Sequence, residues 1–404
     1  MGQTMTERGA PVLALDPFAD DFLADPFARH GELREAGPVV WLERYQVWAM
    51  ARHAEVQEAL RDWETFCSSA GVGLSDFRKE PPWRPPSLLL EADPPEHSRA
   101  RKAVARALSP RTVRDLADGF ARDADQLVSE LLARGTVDGV ADIAEEFPLR
   151  VFPPAVGLTG DCRRQLLAYG DMAFNAFGPR NHLLAESMKR MEGVVPWITA
   201  HCARDALTPG GLGDRVYASA DRGAITGEEA ALLIRSLLTA GVDTTVIGLG
   251  CALDCLARDP AQWRLLREEP SLAGSAFEET LRYASPVQTF FRTTTRPVTV
   301  GGVTIGAGEK VLLFLAAANR DPRRWDDPDR FDIRRRAVGH VGFGYGIHAC
   351  VGAALSRLEA EALLQAMARR VETLEPAGEP VRRLNNTLSG FASLPLALHG
   401  PAHP

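Results

Sequence analysis

GFGYGIHACVG, residues 342–352, decides the reading of this chain. Glycines at 342, 344, 346 and 352 frame a single cysteine, Cys350, in a tight loop, and a helical pattern begins directly after it. Cys350 therefore falls at or beside a helix N-terminus, where the dipole and free N–H groups lower a thiol's pKa. Glycines also let backbone N–H groups come close to the sulfur, and such donors tune a metal–thiolate bond. The plain alternative is a structural cysteine in a glycine-rich turn. A cysteine nucleophile would need a base and an orienting partner, and the sequence assigns neither.

Working outward, the whole chain has the composition of an ordinary globular protein: 404 residues, 45% hydrophobic and 25% charged. The net charge of −7 excludes a general affinity for nucleic acid or an anionic membrane, so any cationic docking face is local. The six cysteines (67, 162, 202, 251, 255 and 350) form no CxxC pair and no zinc-ligand spacing. The N-terminus shows no basic segment followed by an apolar one, and the apolar run VLLFLAAA (311–318) is far short of the ~20 residues of a membrane span. A reducing, cytoplasmic setting without a membrane is the expectation.

The chain reads as one domain, 1–404, with the first ~15 residues loosely ordered. Residues 38–52 alternate like a hairpin. Residues 66–96 form a long Pro/Gly/Ser-rich loop in which Trp83 and Leu88–Leu90 call for burial. The pattern is mostly helical over 97–207, then a polar loop over 207–223. A long helix follows over about 227–257, opened by the capping-box residues Thr226 and Glu229 and stopped by Asp259-Pro260. A second helix spans about 270–284, strands 288–312, a polar meander 319–335 and a last helix about 352–372, with a closing strand at 393–400. Helix dominates.

Four segments, in order and spacing, resemble the cytochromes P450. FGYGIHACVG resembles the FxxGxxxCxG haem-ligand loop, GluThrLeuArg (279–282) the ExxR motif, and AlaGlyValAspThrThr (240–245) the oxygen-binding helix. AspProProGluHisSerArgAlaArg (93–101) resembles the haem-propionate segment of bacterial members, and the likeness runs from about 15 to 398. The resemblance implies a mainly α P450 fold, a large helical domain with a smaller β-rich part, and haem b buried between two helices. It implies Cys350 as axial ligand, with Phe343, Gly344 and Gly352 around it, and His97, Arg101, Arg292 and His348 as cations on the propionates. O₂ is then the co-substrate, with Asp243 and Thr244 relaying protons. A mid-helix Gly241 costs ~1 kcal/mol relative to alanine, so this helix gives up propensity for something else. Glu279 and Arg282 become a buried fold pair. Electrons come from an iron–sulfur ferredoxin and its NAD(P)H-dependent reductase. Arg99, Arg101, Lys102, Arg106 and Arg111 along one helix, with Arg357, are the candidate docking cations.

Arg235 lies in the apolar stretch AALLIRSLLTAG (230–241), and a buried arginine is costly without an anion. Positions 236, 240 and 244 share a helix face, and eight residues span ~12 Å. Less ~3 Å for a hydrogen bond, that is the length of a benzene ring with a short para substituent. The wider sequence resembles the bacterial subfamily that oxidises para-substituted benzoic acids. By that resemblance Arg84, Ser87, Arg235 and Ser236 form the carboxylate end, Phe174, Phe177, Val287 and Phe290 the aromatic walls, and Leu90 and Ala240 further cavity positions. It implies O-demethylation of 4-methoxybenzoate to 4-hydroxybenzoate and formaldehyde. A P450 hydroxylase of a larger natural product is the alternative, opposed by the acid anchor and the close-set phenylalanines. A haem-thiolate sensor without turnover is a third, opposed by the Asp243–Thr244 pair.

Overall fold

The capping box at Thr226 forms in the computed structural model, which describes residues 5–401. Thr226 Oγ1 accepts from the Glu229 N–H at 3.1 Å, and Glu229 Oε2 accepts from the Thr226 N–H at 2.7 Å. The helix then runs Gly227–Gly241, breaks at Val242 and resumes as Asp243–Arg258, so the single helix read over 227–257 is two. Gly241 lies against Phe152, where a Cβ would stand 2.4 Å from the ring. Thr244 Oγ1 donates to the Ala240 carbonyl at 2.7 Å and Thr245 Oγ1 to the Gly241 carbonyl at 3.2 Å. Side-chain hydroxyls thus satisfy carbonyls at the break.

This 32-residue stretch is, among the described residues, long and apolar enough to cross a membrane, but 56% of its most apolar window is buried inside the protein. Arg235, Ser236 and Asp243 interrupt it, which is why sequence inspection passed it over for 311–318. It forms the centre of the main core, with Leu233, Leu237, Leu249 and Leu253 buried. The helix Ala353–Arg370 packs along Pro110–Leu132 and reaches the broken helix, where Thr245 Oγ1 meets Ser356 Oγ at 3.3 Å.

The smaller part is a six-stranded sheet in the order Val12–Leu13, Val40–Leu42, Val47–Met50, Lys310–Phe314, Thr289–Thr294, Phe66–Cys67. The foreseen hairpin pairs Trp41 with Trp48, and Lys310–Phe314 joins it in parallel. Thr289–Thr294 runs antiparallel to Lys310–Phe314, with Phe290 opposite Leu313 and Arg292 opposite Val311. Two-residue alternation turns Phe290 and Arg292 to the same face, toward the cavity, while Phe291 enters the opposite core.

Four expectations are corrected. Residues 10–15 are docked rather than loose: Val12–Leu13 pairs with Trp41–Leu42, and Ala10, Leu13 and Leu15 are buried; Met1–Thr4 lie outside the described residues. The supposed polar loop 207–223 contains the helix Leu212–Asp221, whose buried Leu212, Val216 and Tyr217 are spaced for one face but flanked by glycines that read as a turn. Thr136–Asp138, inside the stretch read as helical, is a strand paired with Pro395–Ala397. Trp83 is 44% exposed, with the Arg84 guanidinium 5.1 Å from its ring centre.

Candidate active site

The cysteine loop is held from several sides. Asn319 Oδ1 accepts from the Val341 N–H at 2.7 Å, and Phe343 O accepts from the Cys350 N–H at 2.7 Å. Gly344 and Gly346 have φ of 70° and 67°, and a Cβ at Gly346 would meet the Leu60 carbonyl at 2.8 Å, so the turn requires glycine there. The helix begins at Ala353, and Cys350 opens onto a cavity with empty space of about 1730 Å³ out to its mouth. Burial pushes the Cys350 thiol up, outweighing the Gly352 and Ala353 N–H groups and the charges of Arg101 and Arg357. Its surface is nevertheless open to the cavity, and a metal bound there favours the thiolate.

Glu279 and Arg282 are both fully buried and joined by two hydrogen bonds of 2.7 and 2.9 Å. Arg282 also donates to the carbonyls of Asn319, Pro328 and Arg330 at 3.1, 2.8 and 3.2 Å. The pair ties its helix to the meander under the cysteine loop, as the motif implied.

Beside the cavity lies a cluster of polar groups, with His97 just behind the lining, its ring centre 4.5 Å from that of His348. His97 is 2% exposed with neither ring nitrogen hydrogen-bonded. Burial, with His348 and Arg101 adding to it, pushes its pKa down to about 4, and an anion placed beside it would act in the opposite direction. Arg292 is buried and donates to the Phe291 carbonyl at 2.8 Å; burial lowers it to about 10. Arg101 donates to the Ala349 carbonyl at 2.5 Å. His348 Nδ1 faces the Leu89 carbonyl at 3.0 Å and Nε2 stands 3.5 Å from Asp93. The unpartnered ring nitrogens of His97 and the guanidiniums of Arg101 and Arg292, which bind only carbonyls among the described residues, call for anionic acceptors. Together with the cysteine opposite the broken helix, they fit a haem with its propionates on Arg101, Arg292, His97 and His348.

Across the cavity, Thr244 and Ala240 line the wall. Asp243 does not. It is fully buried behind the wall, held by Arg383 at 2.8 and 3.1 Å, and Arg383 also binds Asp171 at 2.7 Å. The structure brings Thr244 to the site and leaves its acid neighbour in an ion-pair network.

The far end carries the remaining expected groups. Ser87 Oγ and Ser236 Oγ are 2.9 Å apart, linking the long loop to the core helix. Arg235 donates to the Pro85 carbonyl at 2.6 Å. Arg84 is paired with a protein carboxylate, Glu91, at 2.8 Å. Phe177 lies 5.8 Å from Phe174 and 5.8 Å from Phe290, edge to face, and Val287 and Leu90 close the wall. All expected site residues except His97 and Asp243 line the one cavity.

Three residues were missed. Glu359, 1% exposed, lines the cavity with Oε2 unpartnered among the described residues, and burial pushes its carboxyl well above the usual range. Its place one turn after Leu355 on an apolar helix face was the available signal. Lys310 is buried and donates to the carbonyls of Ala70, Gly71 and Gly73 at 3.2, 2.8 and 2.9 Å, clamping the start of the long loop to the sheet. Glu91, one turn after Ser87, is the third.

A single cysteine presented by a glycine loop, an ExxR brace behind it, a broken helix opposite and unpaired donors between define a haem-thiolate enzyme that uses O₂. Comparison with known proteins agrees. The cytochrome P450 family model matches residues 214–398. The chain is 56% identical to cytochrome P450 CYP199A2 of Rhodopseudomonas palustris, over 96% of this chain and 95% of that protein. It is 33% identical to the beta-dihydromenaquinone-9 omega-hydroxylase of Mycobacterium tuberculosis, over 95% of this chain and 78% of that protein. The solved structure of cytochrome P450 CREJ in complex with (4-ethylphenyl) dihydrogen phosphate superposes with a TM-score of 0.86 at 28% identity, covering 95% of this chain and 99% of that one. This chain belongs to the cytochrome P450 family: it is a monooxygenase carrying a cysteine-ligated haem.

Proposed function

We propose that this P450 oxidises para-substituted benzoic acids, and that its reaction is O-demethylation of 4-methoxybenzoate. The observation that carries the reading is the polar end of the cavity: two arginines and two serine hydroxyls 2.9 Å apart at the end of an aromatic-walled slot. A carboxylate leaving water needs charge-assisted donors, and these are the donors present. Phe174, Phe177 and Phe290 hold the ring, so the para substituent points along the broken helix toward Thr244 and Cys350.

When bound, the haem supplies reductive activation of O₂ and insertion of one oxygen atom into a methyl C–H bond. The protein's share is binding, orientation and proton supply. Thr244 is the hydroxyl at the wall, and Asp243, next to it in the chain, is held by Arg383. The hydroxylated methyl group is a hemiacetal that loses formaldehyde. Two electrons and two protons complete the balance, giving 4-hydroxybenzoate, formaldehyde and water. We assign the electron supply to an iron–sulfur ferredoxin with an NAD(P)H-dependent reductase. Of the candidate docking cations, Arg99 is paired with Glu229, Arg357 with Glu278, and Arg101 turns to the cavity, leaving Lys102, Arg106 and Arg111 exposed. Arg111 belongs to the following helix, Pro110–Leu132. A cytoplasmic location accords with six free cysteines.

The test is a spin-state titration with 4-methoxybenzoate, its ortho isomer and the neutral 4-methoxytoluene, on wild type and Ser236→Ala. The para acid binds best; the neutral analogue leaves buried donors unpaired and binds far more weakly. Equal affinity for acid and neutral analogue refutes the benzoate reading and revives a larger, uncharged substrate.

A further inference from the structure

The acid end holds two arginines and, behind them, one glutamate. Arg84 and Glu91 have side chains only 10% and 2% exposed, and their contact is 2.8 Å. Glu91 Oε2 also accepts the Ser87 N–H at 2.7 Å, so the carboxylate fixes the turn that presents the Ser87 hydroxyl. Among the described residues, both hydrogen bonds of Arg84 leave from Nη1, and Arg84 lines the cavity. The side chain of Arg235, from the core helix, binds among the described residues only a carbonyl, that of Pro85.

The other titratable groups facing Arg235 are Tyr169, from the helix Arg163–Asn175, and Cys202. Burial raises both above their ordinary values, Cys202 to about 12, so both are neutral at physiological pH. The charge at this end is therefore two arginines less one glutamate: a single positive charge. A monoanionic head brings it to neutrality in a buried place. A dianionic head leaves an uncompensated buried negative charge, which is strongly unfavourable.

We propose that Glu91, which does not itself line the cavity, is a specificity-determining positioning residue: by neutralising Arg84 it sets the acid end to accept aromatic monoanions and to reject dianions. The inference rests on the benzoate reading, since it concerns the same pocket.

The experiment uses the haem-loaded full chain, wild type and Glu91→Gln; the amide keeps an oxygen for the Ser87 N–H and removes the charge. The probes are 4-methoxybenzoate and 4-methoxyphenyl phosphate, a monoanion at pH 5 and a dianion at pH 8, as phosphate esters lose their second proton near pH 6. Affinity is read from the haem spin state. In wild type, the preference for benzoate over the phosphate grows from pH 5 to pH 8, by about tenfold or more given one extra charge at close range. In Glu91→Gln that growth disappears. The larger size of the phosphate is the same at both pH values and in both proteins, so it cancels. If the preference changes equally with pH in both proteins, or wild type binds the dianion as well as the monoanion, the proposal is overturned. Wild type binding the dianion as well as the monoanion overturns the proposal even if the variant does not fold. Failure of the benzoate reading itself shows separately, as equal binding of 4-methoxybenzoate and 4-methoxytoluene, and it removes this proposal too.

Discussion

Replacing Arg383 with methionine strips a fully buried carboxylate of its partner. Asp243 has no accessible surface, and its hydrogen bonds among the described residues are the two from Arg383, at 2.8 and 3.1 Å. Asp171 is better provided: it keeps Arg190 and the Asn385 amide when Arg383 is lost. The deficit therefore falls on Asp243. Hydrogen bonds to charged groups contribute about 1.5–3 kcal/mol each, and removing one member of a buried pair typically costs about 3–5 kcal/mol. With Asp171 still satisfied, we expect Arg383→Met to lose about 4 kcal/mol. Adding Asp243→Asn removes the stranded charge and should restore about 2 kcal/mol, because the cost arises from the unpaired ion rather than from lost packing. The assay is urea unfolding followed by circular dichroism, at matched haem content and with the slope of the transition checked for constancy. A loss under about 1 kcal/mol, or a double variant no more stable than the single, refutes the account.

Four further outcomes are expected. The reduced carbon monoxide complex absorbs at the red-shifted position of a thiolate-ligated haem; a histidine-type spectrum insensitive to Cys350→Ser contradicts the assignment. Thr244→Ala keeps benzoate binding and sends electrons to peroxide, lowering product formed per NAD(P)H by half or more; unchanged coupling removes Thr244 from proton supply. Glu278, held by His340 and Arg357, has its carboxyl lowered to about 2 despite burial, so its contribution is fully present above the unfolded value near 4.5 and is lost as pH falls toward 2. Glu278→Gln should thus cost about 3 kcal/mol at pH 7 and about 1 kcal/mol less at pH 4, read from unfolding at the two pH values. Finally, reduction by a ferredoxin should slow as ionic strength rises and with charge reversal at Lys102, Arg106 and Arg111; flat rates argue against docking there.

What the sequence disclosed was what short spacings encode. The cysteine loop, the Glu279–Arg282 pair and the Thr226 cap each need residues within about ten positions, and each formed as read. The aromatic and polar cavity positions came from resemblance, since a phenylalanine cluster alone reads equally as core. What escaped depended on distant partners. Nothing near Asp243 announces that Arg383, 140 positions later, holds it away from the cavity. The helix Leu212–Asp221 was hidden by flanking glycines, and the exposure of Trp83 by a loop whose course only tertiary contacts fix. Glu91 was passed over because a lone glutamate in a proline-rich stretch looks like solvated surface until Arg84 is seen beside it.

The segment 381–399 has a consequence for how the protein is made. Arg383 binds Asp243, Asn386 takes the Asn175 side chain on its N–H at 3.0 Å, Thr387 donates to the Phe174 carbonyl at 2.9 Å, and Leu388 bridges to Val287. Pro395–His399 then pairs with strands on either side of it, Thr136–Asp138 and Thr373–Pro376. One wall of the cavity thus depends on residues made well after the helices they back. During synthesis the earlier helices gather in order, but Phe174 and Val287 lack these contacts until residues 387 and 388 are made. A nascent or truncated chain ending before residue 380 carries the haem-ligating cysteine without the wall that holds the substrate ring.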